Sequence, residues 1–173
     1  PRLRDNALMT ELAALKILNS PIGKIAIGTS GTGLVKLDIL TSGQTRAEFS
    51  DLPKAHKFAL DAADQLASYF SGELREFSVP SDLVGTDFQI AVWREIANLG
   101  FGETCTYAEI AAAIGNPKAV RAVGGAVGAN PIPLIIGCHR VLGADRKITG
   151  YSGGEGIPTK RWLLDFEQIS FSL

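Results

Sequence analysis

The hydrophobic pattern changes its period near residue 80, and this change constrains the fold more than any other feature of the chain. The first part has three strand-like runs separated by turn signals, at 15–20, 24–28 and 34–40. They predict an antiparallel meander, which apolar residues at helical spacing over 55–70 extend by one helix. After residue 86 the apolar spacing is helical. We therefore expect an α+β protein with a small N-terminal antiparallel-sheet domain over 1–80 and a mainly helical C-terminal domain over 81–173.

The boundary between these parts is a segment without a clear period, at 76–86, which predicts a linker. Asp87 is expected to cap the first helix of the second part, and the apolar stripe of that helix ends at Gly100. Phe88 and Trp93 lie on this helix and are expected to be core residues rather than ligand contacts.

The residues that follow have the sequence pattern of a helix-turn-helix. Thr106 and Glu109 have the spacing of a capping box, which predicts a helix start. Asn116 is expected to cap a second helix that has Pro117 at its first position and continues to Asn130. Two short helices around a glycine-containing turn are typical of DNA-binding proteins, but they are also typical of ordinary helical hairpins.

The second of these helices has an unusual composition. Each of Gly124, Gly125 and Gly128 costs roughly 1 kcal/mol relative to alanine in a helix, so something must compensate. Tight packing against another helix is one explanation, and close approach to a nucleic acid is the other. Arg121 is the long polar side chain in the middle of this helix, and it is either a solvated surface residue or a protruding finger.

Composition limits the class of protein. Of the 173 residues, 46% are apolar and 20% are charged, which is typical of a globular chain with a core. The net charge of −1 gives no global argument for nucleic-acid binding, although residues 114–130 carry two charges, both positive. No apolar run has the length of a transmembrane helix, and the first residues do not form a secretory signal. With two cysteines, we expect free thiols and a cytoplasmic protein without a membrane partner.

Cys138 lies among apolar residues and is followed directly by His139. Such a thiol is usually inert, but a neighbouring imidazole and guanidinium favour the thiolate, which is the nucleophilic form. Cys138 is therefore a candidate nucleophile, whereas Cys105 is expected to be a buried structural thiol. Because neighbours on a regular strand face apart, a proton relay between Cys138 and His139 requires a water molecule or a bent loop. No metal is expected, because zinc-ligand spacing is lacking in the set Cys105, Cys138, His56 and His139.

Six motifs of the second part occur in a fixed order, at Thr106-Tyr107, 115–124, Asn130-Pro131, 138–141, 150–154 and 160–164. With this order and spacing, residues 86–168 closely resemble O6-alkylguanine-DNA alkyltransferases. The turn at 20–23 and the run at 69–72 are also similar to the variable first domain of that family. The resemblance implies a winged helix-turn-helix-like DNA-binding element in the C-terminal domain.

The resemblance also implies a function and a set of site residues. The function is repair of O6-alkylated guanine, and also O4-alkylated thymine, by flipping the base out of the duplex and moving its alkyl group onto a cysteine. Cys138 is the implied acceptor, and His139 with Glu167 forms the relay that activates it. Asn130 organises the turn that presents the cysteine, and Tyr107 polarises the flipped base. The implied substrate and DNA contacts are Arg121, which replaces the extruded base, Ser152 at the O6 oxygen, Val141 through its carbonyl, and Tyr151, Ala119 and Lys118.

The partner implied by the resemblance is double-stranded DNA bearing O6-alkylguanine, bound by a monomeric protein that needs no cofactor. Since water does not readily hydrolyse a thioether, each molecule is expected to act once. One position departs from the family, which usually has proline before the acceptor cysteine where this chain has Gly137. Because glycine adds freedom to the unfolded chain, we expect a looser loop and a more permissive alkyl pocket.

Two other functions are compatible with the residues. A lesion sensor of the alkyltransferase-like type would bind the damaged base without reacting, but it would lack the acceptor cysteine. A cysteine hydrolase could use Cys138, His139 and Glu167, and it would turn over esters or amides repeatedly without DNA. Without the resemblance, Glu167 would be read as a surface carboxylate on the last helix.

Overall fold

A computed structural model describes residues 14–42 and 57–173 of the chain. The chain divides into two compact units, Pro1–Leu83 and Val84–Leu173. The beginning of the helix predicted from residue 55, and with it His56, lies outside the described residues.

The first unit is built on the predicted meander, which is confirmed. Its strands are antiparallel in the order β1-β2-β3, at Ala14–Ser20, Gly23–Thr29 and Leu34–Ile39. Helix α1, Lys57–Phe70, packs on β1 and β2. The alternating apolar residues of the strands and one stripe of α1 bury a shared core that includes Ile25, Ile27, Leu37 and Leu66.

The prediction of a plain linker is wrong for residues 80–82, which bind the edge of the sheet. The Leu34 amide donates to the Pro80 carbonyl at 2.9 Å, and the Asp82 amide donates to the Leu34 carbonyl at 2.8 Å. Asp82 also accepts hydrogen bonds from the hydroxyls of Ser30 at 2.6 Å and Thr32 at 2.9 Å. The segment lacks a period because backbone hydrogen bonds, rather than an apolar face, hold it in place.

The second unit contains three helices that pack together, a short parallel strand pair and a final helix. The elements are α2 (Asp87–Ala97), β4 (Cys105–Thr106), α3 (Tyr107–Ala113), α4 (Val120–Gly128), β5 (Val141–Leu142) and α5 (Ile157–Phe166). Trp93 is a core residue as predicted, since it is buried and its indole N–H donates to the Ala126 carbonyl of α4 at 2.8 Å. No helix among the described residues is long and apolar enough to cross a membrane.

Two of the predicted helix caps are wrong. Thr86 rather than Asp87 caps α2, because its hydroxyl accepts from the Gln89 amide at 3.1 Å while the Gln89 side chain accepts from the Thr86 amide at 3.0 Å. Asn116 does not cap α4, since its carbonyl closes a turn with the amide of Ala119 at 3.0 Å. The helix therefore begins at Val120 and ends at Gly128, two residues before Asn130.

The capping box at the start of α3 is confirmed. The Glu109 amide donates to the Thr106 hydroxyl at 3.2 Å, and the Glu109 carboxylate accepts from the Thr106 amide at 2.7 Å. This reciprocal pair places Tyr107 at the first position of the helix, at the end of β4.

Candidate active site and nucleic-acid interface

A hydrogen-bonded loop after α4 carries Cys138. The Asn130 side chain donates to the Ile136 carbonyl at 2.8 Å and accepts from the Ile132 amide at 3.1 Å, so one amide group closes the loop at two points. The Cys138 amide donates to the same Ile136 carbonyl at 2.7 Å. With Gly137 at φ −71° and ψ 63°, this is an inverse γ-turn. The loop therefore fixes the direction of the backbone at the thiol.

Cys138 begins a 3-10 turn, Cys138–Arg140, rather than a strand. Its side chain is 3% exposed and lies at a cavity of about 250 Å³. The cavity brings together four of the predicted site residues, Cys138, Tyr107, Tyr151 and Ser152. Its other lining residues are Gly124, Val127, Gly128 and Gly150. Its size suits a small planar group, and the thiol is the nucleophile that such a group would meet.

Behind the thiol, His139 forms a buried pair with Glu167. The His139 Nε2 atom lies 2.5 Å from a Glu167 carboxylate oxygen, and both side chains are fully buried. The other ring nitrogen, Nδ1, is buried and has no hydrogen-bond partner among the described residues. A carboxylate on Nε2 fixes the tautomer and leaves Nδ1 as a proton acceptor. Glu167, at the end of α5, is therefore not a surface residue.

Arg140 holds the same carboxylate from another side. Its guanidinium donates to both Glu167 oxygens, at 3.1 Å from Nε and at 2.5 Å from Nη2, and Nη1 donates to the Leu99 carbonyl at 2.7 Å. Burial acts to raise the pKa of Glu167, but hydrogen bonds from His139 and Arg140 hold that pKa below its ordinary value. Glu167 is therefore ionised in the folded protein at neutral pH.

The thiol and the imidazole are both neutral in the resting site. Burial raises the pKa of Cys138 above its ordinary value, against hydrogen bonds from Asn130 and Tyr151 and the charge of Lys160. Burial also lowers the pKa of His139, although the Glu167 carboxylate acts in the opposite direction. A neutral imidazole can accept the proton that a neutral thiol must lose, so the pair is suited to general-base activation at the moment of reaction.

Lys160 of α5 is a functional candidate that the sequence reasoning missed. It is 1% exposed, and its ammonium donates to the carbonyls of Val141 at 2.6 Å and Gly150 at 3.1 Å. Burial lowers the pKa of Lys160 to about 8, while the nearby Cys138 acts to raise it. One signal was available, because Lys160 and Glu167 occupy the same helical stripe as the apolar Leu163 and Leu164.

Two hydroxyls at the rim of the cavity are already oriented by the protein. The Tyr107 hydroxyl accepts from the Thr149 hydroxyl at 3.2 Å, and the Ser152 hydroxyl donates to the Gly128 carbonyl at 3.1 Å. Tyr107 thus has a proton to donate into the cavity. The Val141 carbonyl, which the resemblance assigned to the base, accepts from Lys160 and keeps a second lone pair, but Val141 is buried and is not among the residues that line the cavity.

The glycines of α4 are not explained by packing within the protein. A Cβ atom built at Gly125 or at Gly128 would meet nothing within 4 Å among the described residues, and at Gly124 it would meet the Tyr107 ring at 4.0 Å. Exposed Arg121 lies on the same helix and lines a second recess of about 530 Å³ next to Tyr107. The helix therefore presents a smooth surface with one cation beside the thiol cavity.

The other two predicted contacts lie in the turn before α4. Lys118 is exposed and Ala119 is half-buried, and both precede the first residue of the helix. The structure places them next to Arg121 along the chain and outside the lining of the thiol cavity.

The fold and the site define a helix-turn-helix protein whose second helix borders a cavity that contains a buried cysteine. Two family models match the chain. Residues 15–83 match "6-O-methylguanine DNA methyltransferase, ribonuclease-like domain", and residues 87–169 match "6-O-methylguanine DNA methyltransferase, DNA binding domain". The chain belongs to the 6-O-methylguanine DNA methyltransferase family.

Individual relatives agree with this assignment. A protein of Methanosarcina barkeri named "Methylated-DNA--protein-cysteine methyltransferase" is 47% identical over 153 residues, which cover 88% of this chain and 95% of that protein. A Mycobacterium tuberculosis protein of the same name is 46% identical over 88% of this chain and 91% of its own length. The crystal structure of Mycobacterium tuberculosis O6-methylguanine methyltransferase superposes with a TM-score of 0.78 at 46% identity and covers 89% of this chain and 92% of that one. A second crystal structure, of the Mycobacterium tuberculosis protein in complex with DNA, gives the same TM-score of 0.78.

Proposed function

We propose that the protein repairs DNA by direct reversal, transferring the alkyl group of O6-alkylguanine, and also of O4-alkylthymine, from a flipped base to Cys138. The observation that carries this proposal is the buried Cys138 thiol at the cavity, followed in the chain by His139, whose Nε2 is paired with Glu167 and whose Nδ1 has no hydrogen-bond partner among the described residues. The names of the relatives support it, since they describe transfer of a methyl group from DNA to a protein cysteine. The site lies wholly within 81–173, which we propose as the alkyltransferase domain.

The reaction exchanges one bond for another. The Cys138 sulfur forms a bond to the alkyl carbon while the bond from that carbon to O6 breaks, with sulfur and oxygen in line across the carbon. The thiol proton passes to Nδ1 of His139, directly or through one water molecule, and one proton returns to the departing guanine. The protein therefore gains the alkyl group in place of the thiol hydrogen, and the base is restored.

The cavity lining supplies the contacts that the base requires. The Tyr107 hydroxyl can donate to a ring nitrogen, and Ser152, which lines the cavity, can donate to the leaving oxygen once its hydroxyl turns away from the Gly128 carbonyl. Val141 is buried and lies outside this lining, and its carbonyl would have to reach the exocyclic amine of guanine with the lone pair that Lys160 leaves free. Tyr151 forms a wall of the same cavity and offers an aromatic face for stacking.

DNA binding is proposed for α4 and the turn before it. A smooth helix of alanine, valine and glycine lets the DNA backbone approach closely without reading sequence, which suits entry into the minor groove. Arg121 is the residue that would enter the stack when the base leaves it. Lys118 and the backbone near Ala119 would contact phosphates.

Each molecule is proposed to act once, as a monomer. The product is a thioether, and in the described part of the chain the lining of the cavity contains no other thiol that could remove the alkyl group. We also propose a cytoplasmic location, because both cysteines, Cys105 and Cys138, are free and the reaction requires a reduced acceptor.

Stoichiometry tests the proposed function. A duplex that contains O6-methylguanine is mixed with the protein so that the DNA is in molar excess over the protein, and the bases are then separated and quantified. We expect the guanine formed to plateau at one equivalent per protein, with no further conversion on longer incubation. Conversion beyond one equivalent would indicate turnover, as in a hydrolase, and binding of the lesion without conversion would indicate a sensor.

Replacing Arg121 separates base flipping from chemistry. Arg121→Ala is expected to slow transfer from the duplex by about tenfold or more, since extruding a base costs a few kcal/mol that the arginine offsets. Transfer from free O6-benzylguanine should stay unchanged, because that base needs no extrusion. Arg161→Ala, which removes an exposed arginine of the same unit, is the matched control. Equal losses on both substrates would contradict the proposed role of Arg121.

A further inference from the structure

Thr149 contacts the hydroxyl of Tyr107 from the side that faces away from the thiol. Its own hydroxyl donates to the Tyr107 oxygen at 3.2 Å. Tyr107 lines both the thiol cavity and the second recess, whereas Thr149 lines the recess. A phenol carries its proton in the plane of the ring, on one side of the oxygen or the other. Donation from the recess therefore turns the Tyr107 proton to the opposite side, toward the cavity.

The rotamer of Thr149 is set by its γ-methyl group. This methyl lies against the backbone of buried Gly143, where a built Cβ atom would be 2.7 Å from it. A β-branched side chain has few χ1 choices, so the packing of the methyl also fixes the direction of the hydroxyl. The methyl and the hydroxyl of Thr149 thus have separate contacts, one on Gly143 and one on Tyr107.

The backbone that carries Thr149 is fastened to the residues after α5. The Ser172 amide donates to the Arg146 carbonyl at 2.9 Å, and the Ser172 carbonyl accepts from the Ile148 amide at 3.1 Å. The Ser172 hydroxyl donates to the Asp145 carbonyl at 3.0 Å. Asp145 and Arg146 have φ values of 57° and 58°, which non-glycine residues seldom adopt, so these bonds hold a strained turn in place. Thr149 therefore has a fixed position although its side chain is exposed.

We propose that Thr149 is a positioning residue, whose hydroxyl directs the proton of Tyr107 toward the flipped base in the thiol cavity. This inference rests on the proposed function and adds to it a residue that acts through Tyr107. Without the Thr149 hydroxyl, the O–H group of Tyr107 can also turn toward the recess and donate to water there. Fewer molecules then have the donor aimed at the base when the thiolate attacks, so the leaving guanine is stabilised less.

A double-mutant cycle tests the role of Thr149. Single-turnover transfer from an O6-methylguanine duplex is measured at saturating protein for wild type, Thr149→Val, Tyr107→Phe and the double variant. Thr149→Val keeps a methyl group on Gly143 and removes the hydroxyl. We expect it to slow transfer about fivefold, with the Kd for the duplex within about twofold of wild type. In the Tyr107→Phe background, where no hydroxyl is left to orient, the same change should cost about 1.5-fold or less.

Three further variants separate this inference from a general effect on the loop. Thr149→Ser retains the hydroxyl and should transfer at a rate within about twofold of wild type. Thr104→Val is the matched control, because the Thr104 hydroxyl accepts from Arg146 of the same loop at 2.7 Å, and its loss should leave the rate unchanged. Thr149→Ala removes the same hydroxyl and serves if Thr149→Val does not fold.

The outcomes distinguish this inference from the proposed function. Losses that multiply in the double variant, or a loss as large with Thr149→Ser or Thr104→Val as with Thr149→Val, would overturn the role of Thr149. Absence of transfer in the wild type would instead refute the proposed function.

Discussion

The two cysteines of the second unit differ both in burial and in the chemistry of their surroundings. Cys105 is half-buried in β4, where burial, Glu109 and Glu95 raise its pKa to about 11. Cys138 is more deeply buried, and burial raises its pKa as well, but the neighbouring Asn130, Tyr151 and Lys160 act to lower it. The more accessible thiol therefore has carboxylates as neighbours, and the less accessible one has hydrogen-bond donors, a cation and a base.

The comparison shows that a resting pKa does not identify the nucleophile. Neither thiol is ionised at neutral pH, so the difference lies in what each region can do during a reaction. Beside Cys138, the His139–Glu167 pair can accept a proton and Lys160 can stabilise the developing thiolate. Beside Cys105, two carboxylates would repel that thiolate.

The largest effect is expected from removing the charge of Glu167, the carboxylate that orients His139 as the general base. Glu167→Gln keeps the size of the side chain but cannot stabilise the imidazolium of His139, so transfer from the O6-methylguanine duplex should fall by about 100-fold or more. Single-turnover quench experiments measure this rate. Glu103→Gln, at an exposed carboxylate, is the matched control. A rate within about twofold of wild type would show that the region of Cys138 needs no buried carboxylate.

A smaller loss of transfer rate is expected from removing the buried cation of Lys160. Lys160→Met leaves the Val141 and Gly150 carbonyls without the ammonium and removes a positive charge that acts to lower the pKa of the thiol. Transfer should slow by about tenfold, which corresponds to roughly one pKa unit of thiolate stabilisation. Lys118→Met, at an exposed lysine, should slow only the binding of DNA. Equal effects of the two variants on a saturated complex would contradict the role of Lys160.

The buried cation also predicts a pH dependence of stability. The folded protein disfavours the charged form of Lys160, whose pKa is lowered from 10.5 to about 8, so this group destabilises the fold fully below pH 8. The cost disappears as pH rises from 8 to 10.5, because the folded state loses the proton first. The free energy of unfolding of wild type should therefore rise relative to Lys160→Met by roughly 1–3 kcal/mol over that interval. Denaturant titrations measure the difference, and a constant offset between the two proteins would contradict a lowered pKa.

The smallest effect concerns Cys105. Glu109→Gln removes one carboxylate that raises the pKa of Cys105 and keeps an amide oxygen for the capping box. Labelling of Cys105 by iodoacetamide at pH 9 should become faster by less than about tenfold, since tenfold would correspond to a full pKa unit. Peptide mapping after labelling reports each cysteine separately. Slower labelling would mean that Glu109 does not act through its charge.

The sequence predicts the elements better than it predicts their contacts. The alternating apolar runs and turn signals are sufficient for the meander, and the spacing of Thr106 and Glu109 is sufficient for the start of α3. Asn116 misled the prediction because the residue types that cap helices also close tight turns, as its carbonyl does here. The edge contacts of residues 80–82 could not be predicted, because backbone hydrogen bonds leave no pattern in the side chains.

Some residues of the site could likewise be predicted from the sequence, and others could not. The resemblance named Cys138, His139 and Glu167, and the structure brings these three together, while their roles stay proposals. The sequence did not predict that Arg140 and Lys160 are buried in the protein interior, since charged residues are seldom buried unless they are paired. Their partners are carbonyls and a carboxylate from distant parts of the chain, which only the fold brings together.

The difference between the two thiols is tested most directly by locating the transferred group. Wild-type protein is mixed with a duplex that contains O6-methylguanine, and its intact mass and proteolytic peptides are measured, with Cys138→Ala and Cys105→Ala treated in parallel. We predict one added methyl group, found on Cys138, in wild type and in Cys105→Ala, and none in Cys138→Ala. Methylation of Cys105, or an unmodified Cys138 in a protein that binds the lesion, would contradict the account.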